Sequence, residues 1–299
     1  MSDINKPNRF LPTTLEEMHD RGWYELDVVL ITGDAYIDSP FMGISVVGRI
    51  LEDMGLRVGI IGQPDVNSDI DVKRMGEPKL FWGVSGGSID SMVSNYTATK
   101  RFRSTDDYTP GGKNDKRPDR ATLVYTNLIR RYFKNTVPIV LGGIEASLRR
   151  ITHYDYWSDK LRKPILFDTK ADYMVYGMGE QAIIDLGNYL KEGKDPRTIR
   201  GLCYISKEAP KEESFLEIPS HQACLDDKEK YIDLFKAFYD NNDPIYSKGL
   251  YQEVDGRFLI QNPPSRHMEE EEMDKIASFP YQRDAHPYNA KDGKVKCLE

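Results

Sequence analysis

Residues 27–34 read Asp27-Val28-Val29-Leu30-Ile31-Thr32-Gly33-Asp34, an almost unbroken apolar run that ends on a glycine and a carboxylate. A strand covered on one face alternates apolar and polar side chains, whereas a strand buried on both faces does not. The run therefore predicts a central strand of a layered α/β fold, with the loop from Gly33 onward at its carboxyl end. Helical spacing follows at once: Ile44, Val47, Ile50, Leu51 and Met54 share one stripe of a helix over 43–54, and Gly55 stands at its C′ position.

The alternation continues along the chain. Strands are expected at 57–62, 79–84, 137–141, 171–176 and 201–206. Helices are expected at 119–133, with Asp119 as N-cap, and at 180–191. Strand–helix–strand order implies parallel strands joined by right-handed crossovers, hence a doubly wound, Rossmann-like α/β sheet. Three regions follow: an N-terminal arm over 1–26, the α/β domain over 27–207, and a C-terminal extension over 208–299. The extension reads as a linker and lead-in to something else. It carries a helical pattern at 226–239, a hairpin around Val254-Asp255-Gly256-Arg257, the Pro263-Pro264 break and a short helix at 269–277.

Ligands of doubly wound sheets sit at the carboxyl ends of the strands. The loops to read are those after Thr32, Val84, Leu141 and Tyr176. The first offers Asp34, Tyr36 and Asp38, either to orient a ligand or to cap the helix that follows. The second is Ser85-Gly86-Gly87-Ser88, and the third is Gly142-Gly143-Ile144-Glu145. Paired glycines at strand ends let a ligand approach the backbone closely. The fourth, Gly177-Met178-Gly179-Glu180-Gln181-Ala182, has the G-x-G-x-x-A spacing of a dinucleotide loop. It follows the fifth strand rather than the first, so a tight turn into a helix is the reading; a self-sufficient nucleotide-dependent enzyme would rest on this loop alone.

Composition narrows the classes. The chain has 299 residues and a formal charge of −7, a poor balance for general nucleic-acid binding. The local basic segment over 117–131 reads as a solvated helix face. No apolar run approaches the roughly 18 residues that span a bilayer. The three cysteines, Cys203, Cys224 and Cys297, are far apart and form no C-x-x-C pair, as expected of reduced thiols in a cytoplasmic protein. Neither zinc nor an iron–sulfur cluster is expected on them. His153 lies among Tyr154, Tyr156 and Trp157 and reads as a packed histidine.

Taken together, the loops resemble the cobalamin-binding domain family, whose hallmarks are D-x-H-x-x-G, S-x-L and G-G after the first, third and fourth strands. Gly33-Asp34-Ala35-Tyr36 resembles the first, Ser85-Gly86-Gly87 the second and Gly142-Gly143 the third. Tyr36 stands where the cobalt-ligating histidine would be, and Gly87 replaces the leucine.

A closer resemblance is to the YgiQ-type radical SAM proteins. It is carried by Asn8-Arg9-Phe10-Leu11-Pro12, by the 33–38 loop, by Gly142-Gly143-Ile144-Glu145-Ala146-Ser147-Leu148-Arg149-Arg150 and by residues 172–180. Gln261-Asn262-Pro263-Pro264 and Pro280-Tyr281-Gln282-Arg283-Asp284-Ala285-His286-Pro287 extend it. The resemblance implies that a radical SAM barrel follows, opening with C-x-x-x-C-x-x-C. Those thiolates would hold a 4Fe–4S cluster whose open iron binds S-adenosylmethionine. This chain would then be an accessory domain that lends a substrate or corrinoid crevice to its missing barrel, with no cluster and no catalytic residue of its own. Cobalamin is a possible ligand, and the resemblance implies no particular substrate. The alternative is a non-catalytic interaction module that keeps the fold without a small-molecule ligand.

Overall fold

A computed structural model describes residues 10–298; the start of the N-terminal arm, with Asn8 and Arg9, lies outside the described residues. Five strands form a parallel core: β1 (Val28–Thr32), β2 (Val58–Gly62), β3 (Phe81–Ser85), β4 (Ile139–Gly142) and β5 (Tyr173–Val175). Their spatial order is β2-β1-β3-β4-β5, all parallel. The order reverses between β1 and β3, which is the switch point where such sheets open a crevice.

The doubly wound reading holds because β1 is covered on both faces. Val29 and Ile31 pack in one apolar cluster with Trp82, Tyr125 and Leu128. Val28 and Leu30 pack in the other with Ile50, Leu51, Ile183 and Leu186. Helix α1 (Gly43–Asp53) and helix α3 (Glu180–Lys191) cover the second face, and helix α2 (Ala121–Tyr132) covers the first. Period-2 side chains on one strand thus feed two layers.

The sheet does not stop at β5. Strand β6 (Leu202–Ser206) runs antiparallel to β5, because the stretch over 192–201 carries the chain back to the carboxyl edge before the strand begins. The extension adds three more strands, β7 (Phe215–Ile218), β8 (Gly249–Val254) and β9 (Arg257–Gln261), giving a nine-stranded sheet in the order β7-β8-β9-β6-β5-β4-β3-β1-β2. The β8–β9 hairpin turns at Asp255 (φ 52°) and Gly256 (φ 72°), the paired positive angles that favour Asp-Gly in a two-residue hairpin.

Two local expectations need correction. Asp119 does not cap α2: Arg120, at φ 52°, precedes the helix, and Asp119 accepts hydrogen bonds from Asn95 Nδ2 and the Tyr96 hydroxyl, both at 2.8 Å. The basic segment over 117–131 is not one solvated helix face either, since Arg117 lies outside the helix and its side chain is buried.

Beyond β9 the chain returns as a strap. Helix Glu270–Ala277 is opened by a reciprocal Glu269/Glu272 capping box. Asp284–Ala285 then pairs antiparallel with Ile37–Asp38 in the first loop. No helix among the described residues is long and apolar enough to cross a membrane.

Candidate functional site

The loops after β1, β3, β4 and β5 converge on one cavity of about 470 Å³ at the carboxyl edge of the sheet. Its mouth is polar and glycine-rich: Asp34, Ser85, Gly87, Gly142, Gly143 and Gly177 line it. Its inner end is an apolar slot between the sheet and helices α1 and α3, walled by Leu30, Phe81, Val140, Val47, Val175 and Ile183. Gly143 is required here. Its φ is +80°, and a Cβ would stand 2.6 Å from Ser85 Oγ. A side chain at this turn would both strain the backbone and crowd the mouth.

The floor beneath the mouth is a buried charge cluster. Arg117 Nη2 lies 2.7 Å from Asp34 Oδ1 and 3.0 Å from Asp106 Oδ2, and all three side chains are at least 98 % buried. Arg117 Nη1 also donates to the Gly86 carbonyl at 2.9 Å, and Ser88 N–H donates to Asp34 Oδ2 at 2.6 Å. Burial pushes the Asp34 carboxyl above its ordinary range, outweighing the Arg117 charge and the Ser88 bonds that pull it down. Arg117 keeps its charge: burial disfavours the cation, but Asp34 and Asp106 more than restore it. The sequence reading missed Arg117. The signal lay in Pro118, since the residue before a proline is disfavoured in a helix and belongs to the loop.

Other sequence candidates are placed elsewhere. Tyr36 is fully buried; its hydroxyl accepts from Leu11 N–H at 3.1 Å and its ring stacks on His286 at 5.4 Å. Asp38 is also fully buried, held by Arg49 Nε (3.2 Å) and Nη2 (2.5 Å) and by Gln282 N–H (2.9 Å). Both fasten the C-terminal strap to the first loop and neither lines the cavity. Glu145 turns inward and accepts from Ser91 N–H and Thr122 N–H, each at 2.9 Å. One carboxylate thereby caps the first turns of two helices, Ser91–Asn95 and Ala121–Tyr132. Gly86 gives it room, for a Cβ there would lie 2.6 Å from Glu145 Oε2.

Gly177, Gly179 and Glu180 do reach the cavity, and Glu180 Oε2 has no hydrogen-bond partner among the described residues. Apolar side chains of the cavity lining stand exposed: Phe41, Met178 and Ile144 at 86 %, 58 % and 44 %, while Leu148, also exposed, ends the helix Gly143–Leu148 that carries Ile144.

The cysteines do not gather. Cys203 and Cys224 are buried, and burial pushes their thiols up to about 12 and about 11 respectively; Cys297 is exposed. Among the described residues no group of three His, Cys, Asp or Glu side chains is placed to hold a metal ion. A 4Fe–4S cluster, which takes thiolate ligands, does not fit them. Nor does a corrinoid whose cobalt takes a protein imidazole from the first loop, because Tyr36 occupies that position with its hydroxyl already engaged.

Comparison with known proteins adds the following. The radical SAM N-terminal family matches residues 10–299. A UPF0313 protein of Fusobacterium nucleatum is 57 % identical over 97 % of this chain and 51 % of its own length. A UPF0313 protein of Thermotoga maritima is 49 % identical over 97 % and 51 %, and one of Clostridium perfringens 45 % identical over 98 % and 45 %. The chain thus spans about half the length of the curated relatives it matches. Among solved structures, the radical S-adenosylmethionine methyltransferase TsrM of Kitasatospora setae, with cobalamin and a 4Fe–4S cluster bound, aligns at 20 % identity and a TM-score of 0.39. That alignment covers 59 % of this chain and 26 % of that one.

Proposed function

The chain belongs to the radical SAM N-terminal family, and we propose that it is the ligand-holding part of a radical SAM enzyme. The observation that carries this reading is the convergence of the loops after β1, β3, β4 and β5 on one cavity with a polar mouth and an apolar inner slot. Such a cavity suits a ligand with an apolar or flat portion that enters between sheet and helices, and a polar portion that stays at the glycine-lined mouth. The buried Asp34–Arg117–Asp106 cluster fixes the mouth loops from below, so the site is preorganised.

The radical chemistry belongs to residues outside this chain. A bound 4Fe–4S cluster would supply the electron that cleaves S-adenosylmethionine; the residues described here hold and orient the ligand. The exposed Phe41, Ile144, Leu148 and Met178 side chains suit closure of the mouth by the radical SAM part of the enzyme. A corrinoid is one candidate ligand; the glycine-lined mouth would hold it, and the first loop would offer it no imidazole.

Anaerobic incubation of a longer relative with S-adenosylmethionine and dithionite tests the class of reaction. Formation of 5′-deoxyadenosine is the expected outcome. A relative that carries a reconstituted cluster and still yields none would overturn the assignment. Retention of a small molecule by this chain separates the ligand-holding reading from a pure interaction module, which would retain none.

A further inference from the structure

Two segments that leave the cavity meet again at the surface. The loop after β3 passes Ser88, forms helix Ser91–Asn95 and then a tight turn in which Tyr96 bridges to Phe102. The segment after β4 forms helix Gly143–Leu148 and then the small hairpin of His153–Asp155 and Lys160–Arg162. The two are tied together by aromatic rings. Tyr96 packs on Phe102 at 5.6 Å and on Trp157 at 5.3 Å, and Trp157 packs on Tyr156 at 5.4 Å. Phe102 is nevertheless 59 % exposed and Tyr156 48 % exposed.

Cations are interleaved with these rings. Lys100 Nζ lies 4.7 Å from the Tyr156 ring centre and donates to the Trp157 carbonyl at 3.3 Å. Arg103 Nε donates to the Tyr96 carbonyl at 3.1 Å. Lys100, Arg101 and Arg103 are exposed, and no carboxylate of the described residues lies within ion-pair distance of them. Of the carboxylates on the neighbouring segments, one is paired with a cation and two are held by neutral groups. Asp119 is bonded to Asn95 and Tyr96, Asp155 to Arg120 and Ser158, and Asp159 to the Tyr154 hydroxyl. On a chain of net charge −7, three exposed cations without ion-pair partners beside exposed rings are a local departure.

Exposed rings offer faces to flat heterocycles, and unpaired cations on the same surface offer sites to the phosphates between them. That pairing is the chemistry of single-stranded nucleic-acid platforms. We propose that this surface binds a single-stranded nucleic acid, with bases on Phe102 and Tyr156 and phosphates on Lys100, Arg101 and Arg103. Both segments continue loops of the cavity, but this binding does not rest on the function proposed above and involves no residue of the cavity lining.

The test is fluorescence anisotropy of a short labelled oligouridine titrated with the whole chain at several salt concentrations. Binding is expected, weakening with salt. Replacing Lys100, Arg101 and Arg103 together by alanine should flatten the slope of log K against log salt by about 2, as expected for roughly three phosphates on a single strand. Phe102→Ala should weaken binding about tenfold and leave the slope unchanged. Filling the cavity with Val47→Trp should leave oligonucleotide binding intact, so a failure of the cavity reading is distinguishable from a failure of this one. Absence of binding at low salt would overturn the proposal. So would equal binding by the variants, or equal competition by duplex or polyglutamate, which would mark the patch as a site for any polyanion or an acidic protein.

Discussion

Arg117 and Asp34 meet at 2.7 Å beneath the cavity mouth, with side chains 0 % and 1 % exposed. Asp106 shares the same guanidinium, so two carboxylates depend on one buried cation. Arg117→Met should therefore destabilise the fold by about 3–5 kcal/mol, because it strands buried charge rather than merely removing a contact. Urea denaturation checks this; a loss within the ordinary range of a surface substitution would contradict it.

Asp34 also sets a pH dependence. Burial raises its carboxyl above the ordinary value of 3.8, so the folded protein holds that proton more tightly than the unfolded chain does. Stability from this group is present below 3.8 and is lost as pH rises through the folded value. Asp34→Asn should flatten that fall. Stability curves of the two proteins that stay parallel above the usual carboxyl range would contradict the assignment.

His153 gives the opposite sign. Burial lowers its imidazole to about 4, and its Nδ1 donates to the Ile151 carbonyl at 3.1 Å. The unfolded chain binds the proton first, so stability should fall as pH drops from 6.5 toward about 4, by at most about 3 kcal/mol from this group. His221 is lowered for the same first reason and adds to the trend. His153→Asn, which keeps a donor but does not titrate, should remove most of the loss seen in thermal melts across that window.

Glu145 caps two helices at once, through Ser91 N–H and Thr122 N–H. Glu145→Ala should lower stability by about 2–4 kcal/mol, roughly two lost caps in a buried setting. Glu145→Gln, which keeps one strong acceptor, should lose less. Equal losses for the two variants would show that the carboxylate is not acting as a double cap.

Tyr36→Phe removes the acceptor for Leu11 N–H and should lower stability by about 1–3 kcal/mol. Titration with cobalamin should give no histidine-ligated spectrum with either the native chain or this variant. Appearance of such a spectrum would contradict the placement of the first loop.

Much of this was legible in the sequence, for a physical reason. A strand buried on both faces writes a continuous apolar run, and β1 does so; the helix stripe over Ile44, Val47, Ile50 and Leu51 is equally plain. The convergence of four loops followed from parallel strands alone. What stayed hidden depends on long-range partners. Nothing local distinguishes Glu145 as a helix cap from Glu145 as a ligand group, since its two N–H partners lie 54 and 23 residues away. Tyr36 and Asp38 were drawn to the cavity by their loop, but the strap over 281–290 pulls them inward, as in the Gln282 N–H bond to Asp38. Strand β6 was recognised as a strand, but its direction depends on how the stretch over 192–201 runs, and that stretch carries no periodic signal.

The central claim is that the cavity at the carboxyl edge holds a ligand, and native mass spectrometry of the chain after incubation with a cell metabolite extract tests it most directly. Val47 lines the apolar slot, and Val47→Trp fills that slot from the α1 side. The account predicts a small molecule that stays bound to the native chain and is lost from the folded Val47→Trp variant. A native chain that carries nothing, or a molecule retained equally by both proteins, would contradict it.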